Sequence, residues 1–353
     1  MARMMILEGH RLGLEMHVLC SSATEPAAQV TSHVHIGSID DLACLKGFLN
    51  SVDAVTFESE FVNTNTVKAC LPQGLHFFPN LNAIESIQDR STQKALLDQF
   101  KIPTAPWMNV DSFEDLKSAS QQFKNGYVLK KRRFGYDGNG TFVIKKLSSE
   151  HQKLIQDSNA GFIAEELIAF KSELAVVVAA AKKQTHFLPL VETKQVDSRC
   201  LWVKGPVKNR HFNALIKPIL KMLRALDYQG VLAFELFETS KGLLVNELAP
   251  RVHNSGHYSQ DALAMSQFEL HLRAGLMAEL PKVRPLAKGF AMYNLLGEGN
   301  STIKLSSKPL GGLHWYGKDL NKLGRKLGHI NTLGDSPQDA LKKAVQWRKD
   351  FKL

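Results

Sequence analysis

Asn246-Glu247-Leu248-Ala249-Pro250-Arg251-Val252-His253-Asn254-Ser255-Gly256-His257 crowds hydrogen-bonding side chains around one rigid proline. Arg251 can grip a phosphate or carboxylate as a planar fork, and His253, Asn254 and Ser255 offer polar recognition of a small ligand. His253 and His257 have the i, i+4 spacing of a helical zinc pair, but Pro250 and Gly256 oppose a helix and no acidic third ligand accompanies them. The plainer alternative is a structural loop leading into a helix at 260–277. Just upstream lie two strand-like runs, 232–237 and 243–248, each with one carboxylate, Glu235 or Glu247, inside apolar sequence. A buried carboxylate without a cation is costly, and two of them with Asn246 make a hard oxygen set suited to Mg²⁺ and nucleotide phosphates. Plain alternation could equally place both glutamates on a solvent face.

Further upstream, Lys130-Lys131-Arg132-Arg133-Phe134-Gly135-Tyr136-Asp137-Gly138-Asn139-Gly140 sits between two strand-like runs over 127–145, the pattern of a hairpin with a glycine-rich tip. Strand alternation sends Lys130 and Arg132 to one face and Lys131 and Arg133 to the other, so one cation can point inward while the loop folds over an anion. Taken alone, this stretch is better explained as a solvated hairpin with a basic edge. It is no calcium loop, since the twelfth position from Asp137 is Ser148 and not a bidentate glutamate. Elsewhere, strand-like runs at 15–20, 53–57, 162–181, 230–237 and 242–248 alternate with helical patterns at 40–49, 89–101 and 212–226, an α/β rhythm. Asp89 or Ser91 can cap the helix at 89–101, and Pro103 and Pro106 enforce extension after it. Boundaries near 88 and 280 give three units: 1–88, 89–279 and 280–353.

Bulk properties agree. The 353 residues are 44% hydrophobic and 22% charged, which supports a sizeable core and excludes disorder. Forty-four Lys and Arg against 34 Asp and Glu leave +10, which favours anionic partners without choosing between nucleic acid, membrane and phosphorylated metabolites. Cys20, Cys44, Cys70 and Cys200 show no C-x-x-C spacing, and no apolar run approaches the roughly 20 residues that span a bilayer. A soluble, cytoplasmic protein is expected.

Together the hairpin, the acidic strands and the run ending in His257 resemble the 5-(carboxyamino)imidazole ribonucleotide synthase family of ATP-grasp enzymes. Asp89 to Lys94, Pro103 to Pro106, Glu165 to Glu173, Tyr293 to Gly297 and Gly324 to His329 continue the match in order, across nearly the whole chain. The resemblance implies an α/β ATP-grasp fold with an N-terminal Rossmann-like pre-ATP-grasp domain at 1–88, the ATP-grasp domain at 89–279 and a small C-terminal domain at 280–353. It implies an ATP-dependent carbon–nitrogen ligase of purine biosynthesis that joins bicarbonate to 5-aminoimidazole ribonucleotide through carboxyphosphate, working as a cytoplasmic homodimer with Mg²⁺. Neither a nucleic acid nor a membrane partner is needed to explain the +10.

By the same resemblance, Arg90 and Lys130 contact ATP phosphates, Gly135, Tyr136, Asp137, Gly138 and Gly140 belong to the ATP site, and Tyr136 to Gly140 form its lid. Glu165, Glu166, Leu167 and Ile168 meet the adenine, Glu173 the ribose, and Asn246 and Glu247 complete the ATP site. Glu235 and Glu247 hold Mg²⁺. Arg251, His253, Asn254, Ser255, Lys318, Arg325 and Lys326 receive the ribonucleotide, and Lys130, Arg251, Tyr136 and Asp137 are the expected catalytic groups. Three positions depart from the family pattern: Phe134 replaces a glycine, Thr141 a glutamine, and Ala180 an arginine whose loss would remove an active-site cation. A strand and glycine-rich turn that the family places before Ala2-Arg3-Met4-Met5 are also missing, so the reading frame is expected to extend upstream of Met1. The alternatives are an ATP-grasp ligase using formate or an amino acid, against which Arg325 and Lys326 argue, and a polyanion-binding protein, which lacks interleaved aromatics.

Overall fold

The computed structural model describes residues 1–135, 138–148, 150–156, 161–277, 279–299, 304, 308–318 and 322–353. The helix Ala2–Arg11 buries Met4, Met5 and Ile6 and leads into β1 (His17–Cys20), which pairs in parallel with β2 (His33–Ile36). Asp41 starts the helix Leu42–Leu49 by accepting from the Ala43 and Cys44 amides, close to the expected 40–49. β3 (Ala54–Val55) and β4 (His76–Phe77) form a second parallel pair, and no described ladder joins the two pairs.

A four-stranded antiparallel sheet follows, made of β5 (Trp107–Val110), β6 (Tyr127–Lys131), β7 (Thr141–Ile144) and β8 (Phe162–Glu166) in the order β5-β8-β6-β7. The β6–β7 hairpin is the one read from the sequence. Its sheet covers the helix Phe113–Gln122, which opens on a Ser112/Asp115 capping box. Val110, Leu116, Leu129 and Phe162 close a separate core there. The expected run at 162–181 is thus two strands in two sheets, because the chain leaves strand conformation over 167–171 before β9 (Ser172–Ala180).

β9 anchors the large sheet. With β10 (Thr185–Phe187) on its margin, it joins β11 (Val191–Val196), β12 (Arg199–Gly205), β13 (Gly230–Glu238) and β14 (Leu243–Ala249). Alternation explains why β9 is apolar throughout: Ala175, Val177 and Ala179 face the helix Gln267–Leu276, while Leu174, Val176 and Val178 face the helix Phe212–Ala225. The helix expected at 260–277 is broken. Leu263 is extended and bridges Pro285, and Ser266 starts a new helix by accepting from the Glu269 amide.

Beyond residue 280 the chain continues the same sheet. β15 (Gly289–Leu296) pairs with β12, and β17 (Lys326–Gly334) lies between β15 and β16 (Gly312–Trp315), giving the order β14-β13-β9-β11-β12-β15-β17-β16.

Candidate active site

A cavity of about 1100 Å³ opens among the N-terminal unit, the small sheet and the large sheet. It exceeds the ~300–1,000 Å³ usual for one small ligand, so two can fit. At its centre Glu235 of β13 lies directly opposite Glu247 of β14. Strict alternation from the buried Leu243 and Val245 would turn Glu247 toward the core. The register instead skips Asn246, since Glu235 pairs with Glu247 while Leu236 pairs with Val245. This bulge puts Asn246 and Glu247 together on the cavity wall.

Like charges directly opposite repel. Burial, then Glu247 and Glu173, pushes the Glu235 carboxyl up to about 7. Two converging carboxylates, one of them strained toward protonation, beside an amide carbonyl form a donor set that fits a hard divalent cation.

Cations surround this pair. Arg90 opens the helix Arg90–Gln99, whose cap is Asp89 accepting from the Ser91 amide at 2.9 Å. Arg90 donates to Glu247 Oε1 (2.8 Å) and to the Lys131 carbonyl (2.9 Å). Its approach requires Gly135, because a Cβ there would lie 2.7 Å from Arg90 Nη1. Lys130 Nζ donates to Asn246 Oδ1 (2.8 Å) and pairs with Glu165 (3.0 Å).

The sequence reading missed Lys94, four residues after Arg90 on the same helix face. It is 1% exposed and donates to Glu165 Oε2 (3.0 Å), to Thr104 Oγ1 (2.6 Å) and to the Asn246 carbonyl (3.2 Å). A lysine on a buried helix face was the available signal. Burial lowers the Lys94 pKa despite Glu165, and raises that of Glu165, which Lys130 and Lys94 then carry below the ordinary carboxylate value. The Glu165 side chain, expected against adenine, is therefore already held between two ammonium groups.

The expected alternation of the basic run ends with the strand at Lys131. Arg132 and Arg133 both turn to Asp89, at 2.9 and 3.2 Å, instead of facing opposite sides. Tyr136 and Asp137 lie outside the described residues. Gly138 lines the cavity, whereas Gly140 does not: its φ of +81° makes the return turn. Phe134 adopts φ +63°, a left-handed conformation that suits the glycine expected there, with its ring 5.7 Å from that of Phe61.

An apolar slot opens beside these charges. Val128, Leu167, Ile168 and the Phe170–Phe237 pair, stacked at 4.5 Å, line it with Glu166 and Glu173 at its edge. Burial raises the Glu173 pKa. Thr141 is on the wall, but Ala180 is not. It is 2% exposed in the apolar core, so the geometry does not make it the place of a missing cavity cation.

At the other end Arg251 is already engaged. Its fork grips Glu60 of the N-terminal unit through Nε and through Nη2 (3.1 Å), a partner with no sequence signal beyond the local density of acids at Glu58 and Glu60. His253 accepts at Nδ1 or donates to Ser255 Oγ (2.9 Å) and stands 3.5 Å from Glu235. Burial, then Arg251 and Lys326, pushes its pKa down to about 3, so it is neutral.

Ser255 itself is buried behind His253 and off the cavity. Asn254 and Asn294 exchange amide hydrogen bonds (3.0 and 2.8 Å). Gln267, also missed, ties the loop by accepting from the His253 amide and donating to the His253 carbonyl and to His257 Nδ1. His257 thus serves the loop and does not pair with His253 as a zinc ligand would. Lys318, Arg325 and Lys326 complete this end of the wall. A second register shift, in which Leu295 pairs with Gly328 and Leu296 with Lys326, sets Lys326 at the cavity while Leu327 stays in the core.

Comparisons with known proteins match this fold and its order of domains. Residues 1–88 fit the ribonucleotide synthetase preATP-grasp domain, 95–268 the ATP-grasp domain and 291–343 the phosphoribosylaminoimidazole carboxylase C-terminal domain. The chain is 36% identical to the N5-carboxyaminoimidazole ribonucleotide synthase of Synechococcus elongatus, over 98% of this chain and 90% of that one. It is 35% identical to the enzyme of the same name from Pseudomonas aeruginosa, over 93% and 91%. The structure superposes on the Staphylococcus aureus N5-carboxyaminoimidazole synthetase complexed with ADP with a TM-score of 0.89 at 27% identity, covering 98% of this chain and 94% of that one. The Aspergillus clavatus enzyme in complex with ADP and 5-aminoimidazole ribonucleotide gives a TM-score of 0.83 at 27% identity, covering 98% and 95%. With identity above 30% over almost its full length, and with a fold of the same plan, this chain belongs to the N5-carboxyaminoimidazole ribonucleotide synthase family.

Proposed function

We propose that this chain is an ATP-dependent carbon–nitrogen ligase that carboxylates the exocyclic amine of 5-aminoimidazole ribonucleotide with bicarbonate. The products are 5-(carboxyamino)imidazole ribonucleotide, ADP and phosphate, a step of purine biosynthesis. The observation that carries the reading is one cavity with cations at both ends, Arg90 and Lys130 at one and Lys318, Arg325 and Lys326 at the other, and a carboxylate pair between them.

Bicarbonate is a poor electrophile and needs activation. Its oxygen attacks the γ-phosphorus of ATP, ADP leaves, and the resulting carboxyphosphate carries phosphate as a leaving group. The amine then attacks the carboxyl carbon, phosphate departs and the nitrogen loses a proton. Such chemistry asks the protein chiefly for positioning and charge neutralisation. Arg90 and Lys130 neutralise the phosphates, and the slot of Val128, Leu167, Ile168 and Phe237 takes the base with Glu173 at the ribose. Glu235 and Glu247, with Asn246, are the residues that would hold Mg²⁺, which supplies charge neutralisation to the polyphosphate. Neutral His253, fixed by Ser255, orients the amine end of the ribonucleotide. Arg325, Lys326 and Lys318 receive its phosphate. The working form in this reading is a cytoplasmic homodimer, and no described helix is long and apolar enough to cross a membrane.

ADP release measured with 5-aminoimidazole ribonucleotide and bicarbonate omitted in turn tests the reading. Full turnover is expected only with both present. A rate indifferent to the ribonucleotide overturns it.

A further inference from the structure

One face of the β1–β2 ladder, turned toward the helix Leu42–Leu49, carries three imidazoles. His17 and His33 are direct cross-strand partners, and His35 follows two residues along β2 on the same face. The His17 and His33 rings stack with centroids 4.5 Å apart. Glu15, just ahead of β1, completes the group. Its Oε1 is 2.8 Å from His17 Nε2 and its Oε2 3.9 Å from His33 Nε2. One donor atom from each of Glu15, His17 and His33 lies within 4.8 Å of the others, the single such set of three among the described residues. The proposed ligase chemistry uses none of them.

We propose that Glu15, His17 and His33 form a binding site for a divalent transition-metal ion of the zinc class, with His35 as the positioning residue behind His17. Two imidazoles and a carboxylate are the donor types that borderline ions such as Zn²⁺ prefer, whereas Mg²⁺ favours oxygen ligands like those at Glu235 and Glu247. A tetrahedral ion with bonds of about 2.0–2.1 Å needs donors roughly 3.3 Å apart. The Glu15 and His17 donors must open slightly and the His33 donor must close in. Glu15 and His33 have the freedom to do so, with side chains 69% and 42% exposed.

His17 is prepared for the task from behind, since its Nδ1 lies 3.2 Å from His35 Nε2. A ligating histidine whose second nitrogen is held by a neighbour has its tautomer and ring orientation fixed. His35 is in turn seated edge-on against Phe48, with centroids 5.2 Å apart. The ion would cross-link two strands whose ladder has no third member among the described residues. Its far end, at Cys20, is on the wall of the large cavity.

The test is calorimetric titration of zinc chloride into the full-length, untagged protein after treatment with a chelator, with magnesium present in excess. One equivalent should bind with a dissociation constant on the order of micromolar, accompanied by a rise in melting temperature. Binding should weaken at least tenfold in His17→Ala/His33→Ala and in Glu15→Gln, and to a lesser degree in His35→Gln. Glu15→Gln is a surface change that serves if the double variant does not fold. Glu247→Gln, at the carboxylate pair, and His314→Gln, at an imidazole of β16 that pairs with Asp261 (2.7 Å), should retain the equivalent. The proposal is overturned by wild-type affinity no better than millimolar, by zinc binding that survives His17→Ala/His33→Ala unchanged, or by binding lost only in Glu247→Gln or His314→Gln.

Discussion

Glu247 faces Glu235 across the ladder and at the same time accepts from Arg90, so one carboxylate serves the acidic pair and anchors a cation. Glu247→Gln is expected to lower kcat about 10²-fold or more, the roughly 3 kcal/mol that loss of one preorganised charge costs at a transition state. Steady-state ADP release from folded protein checks this, and unchanged turnover would remove Glu247 from the machinery. Glu165 makes a different prediction, about acid. Burial raises its pKa, but Lys130 and Lys94 outweigh burial and hold it below the ordinary 4.5. A carboxylate depressed on folding contributes stability that is present above its unfolded pKa and is lost as pH falls through the folded one. Urea-melt midpoints should therefore fall as pH drops below about 4.5. The slope should be shallower in Lys94→Met/Glu165→Gln, a pair of changes that keeps the charge balanced and leaves Lys130 on Asn246. Equal slopes in the two proteins would contradict the assignment.

The β6–β7 hairpin and the helix Arg90–Gln99 behave as one unit, because Asp89 caps the helix and binds Arg132 and Arg133 at the root of the loop. Asp89→Asn should keep the cap, asparagine being as good there, and lose the charge that holds the two arginines. The expected result is a KM for ATP raised about 3- to 10-fold, of order 1 kcal/mol, with faster tryptic cleavage in the loop and little change in KM for the ribonucleotide. A change of both constants together would mean a wider disturbance. At this scale much was legible in the sequence: the hairpin, the acidic strands and the helix after Asp89 follow from periodicity and capping, whereas the choice of Lys130 as the inward cation rests on the family resemblance. What escaped has a common cause, namely that a period has no memory of an extra residue. The bulge at Asn246 and the shift beside Lys326 are one-position irregularities, and the break at 263–266 is a four-residue one, all set by tertiary contacts. The contacts made by Lys94, Glu60 and Gln267 are long-range, and beyond the helix-face position of Lys94 and the acids at Glu58 and Glu60 no local pattern announces them.

Across the whole molecule, the N-terminal unit is fastened to the rest by polar ties. Arg251 grips Glu60, His271 meets Thr56 at 2.6 Å, and His76 meets the Gly275 carbonyl at 2.7 Å. Glu60→Gln should cost about 2 kcal/mol in a urea melt, less than a fully buried pair because both side chains keep some contact with water. A cost below a few tenths of a kcal/mol would show that the tie is incidental. The two ends of the cavity make the last expectation: Arg325→Ala should raise KM for the ribonucleotide at least tenfold while leaving KM for ATP nearly unchanged. Equal weakening of both would contradict separate ends. The continuity of the large sheet has a practical meaning for anyone who trims the protein. Strand β15 is hydrogen-bonded along β12 from Trp202 to Gly205. A chain cut after Lys288 would not shed a detachable module. It would bare a long sheet margin whose unpaired amides and carbonyls recruit any passing strand, and such a fragment should be recovered in inclusion bodies while the intact chain stays in the supernatant.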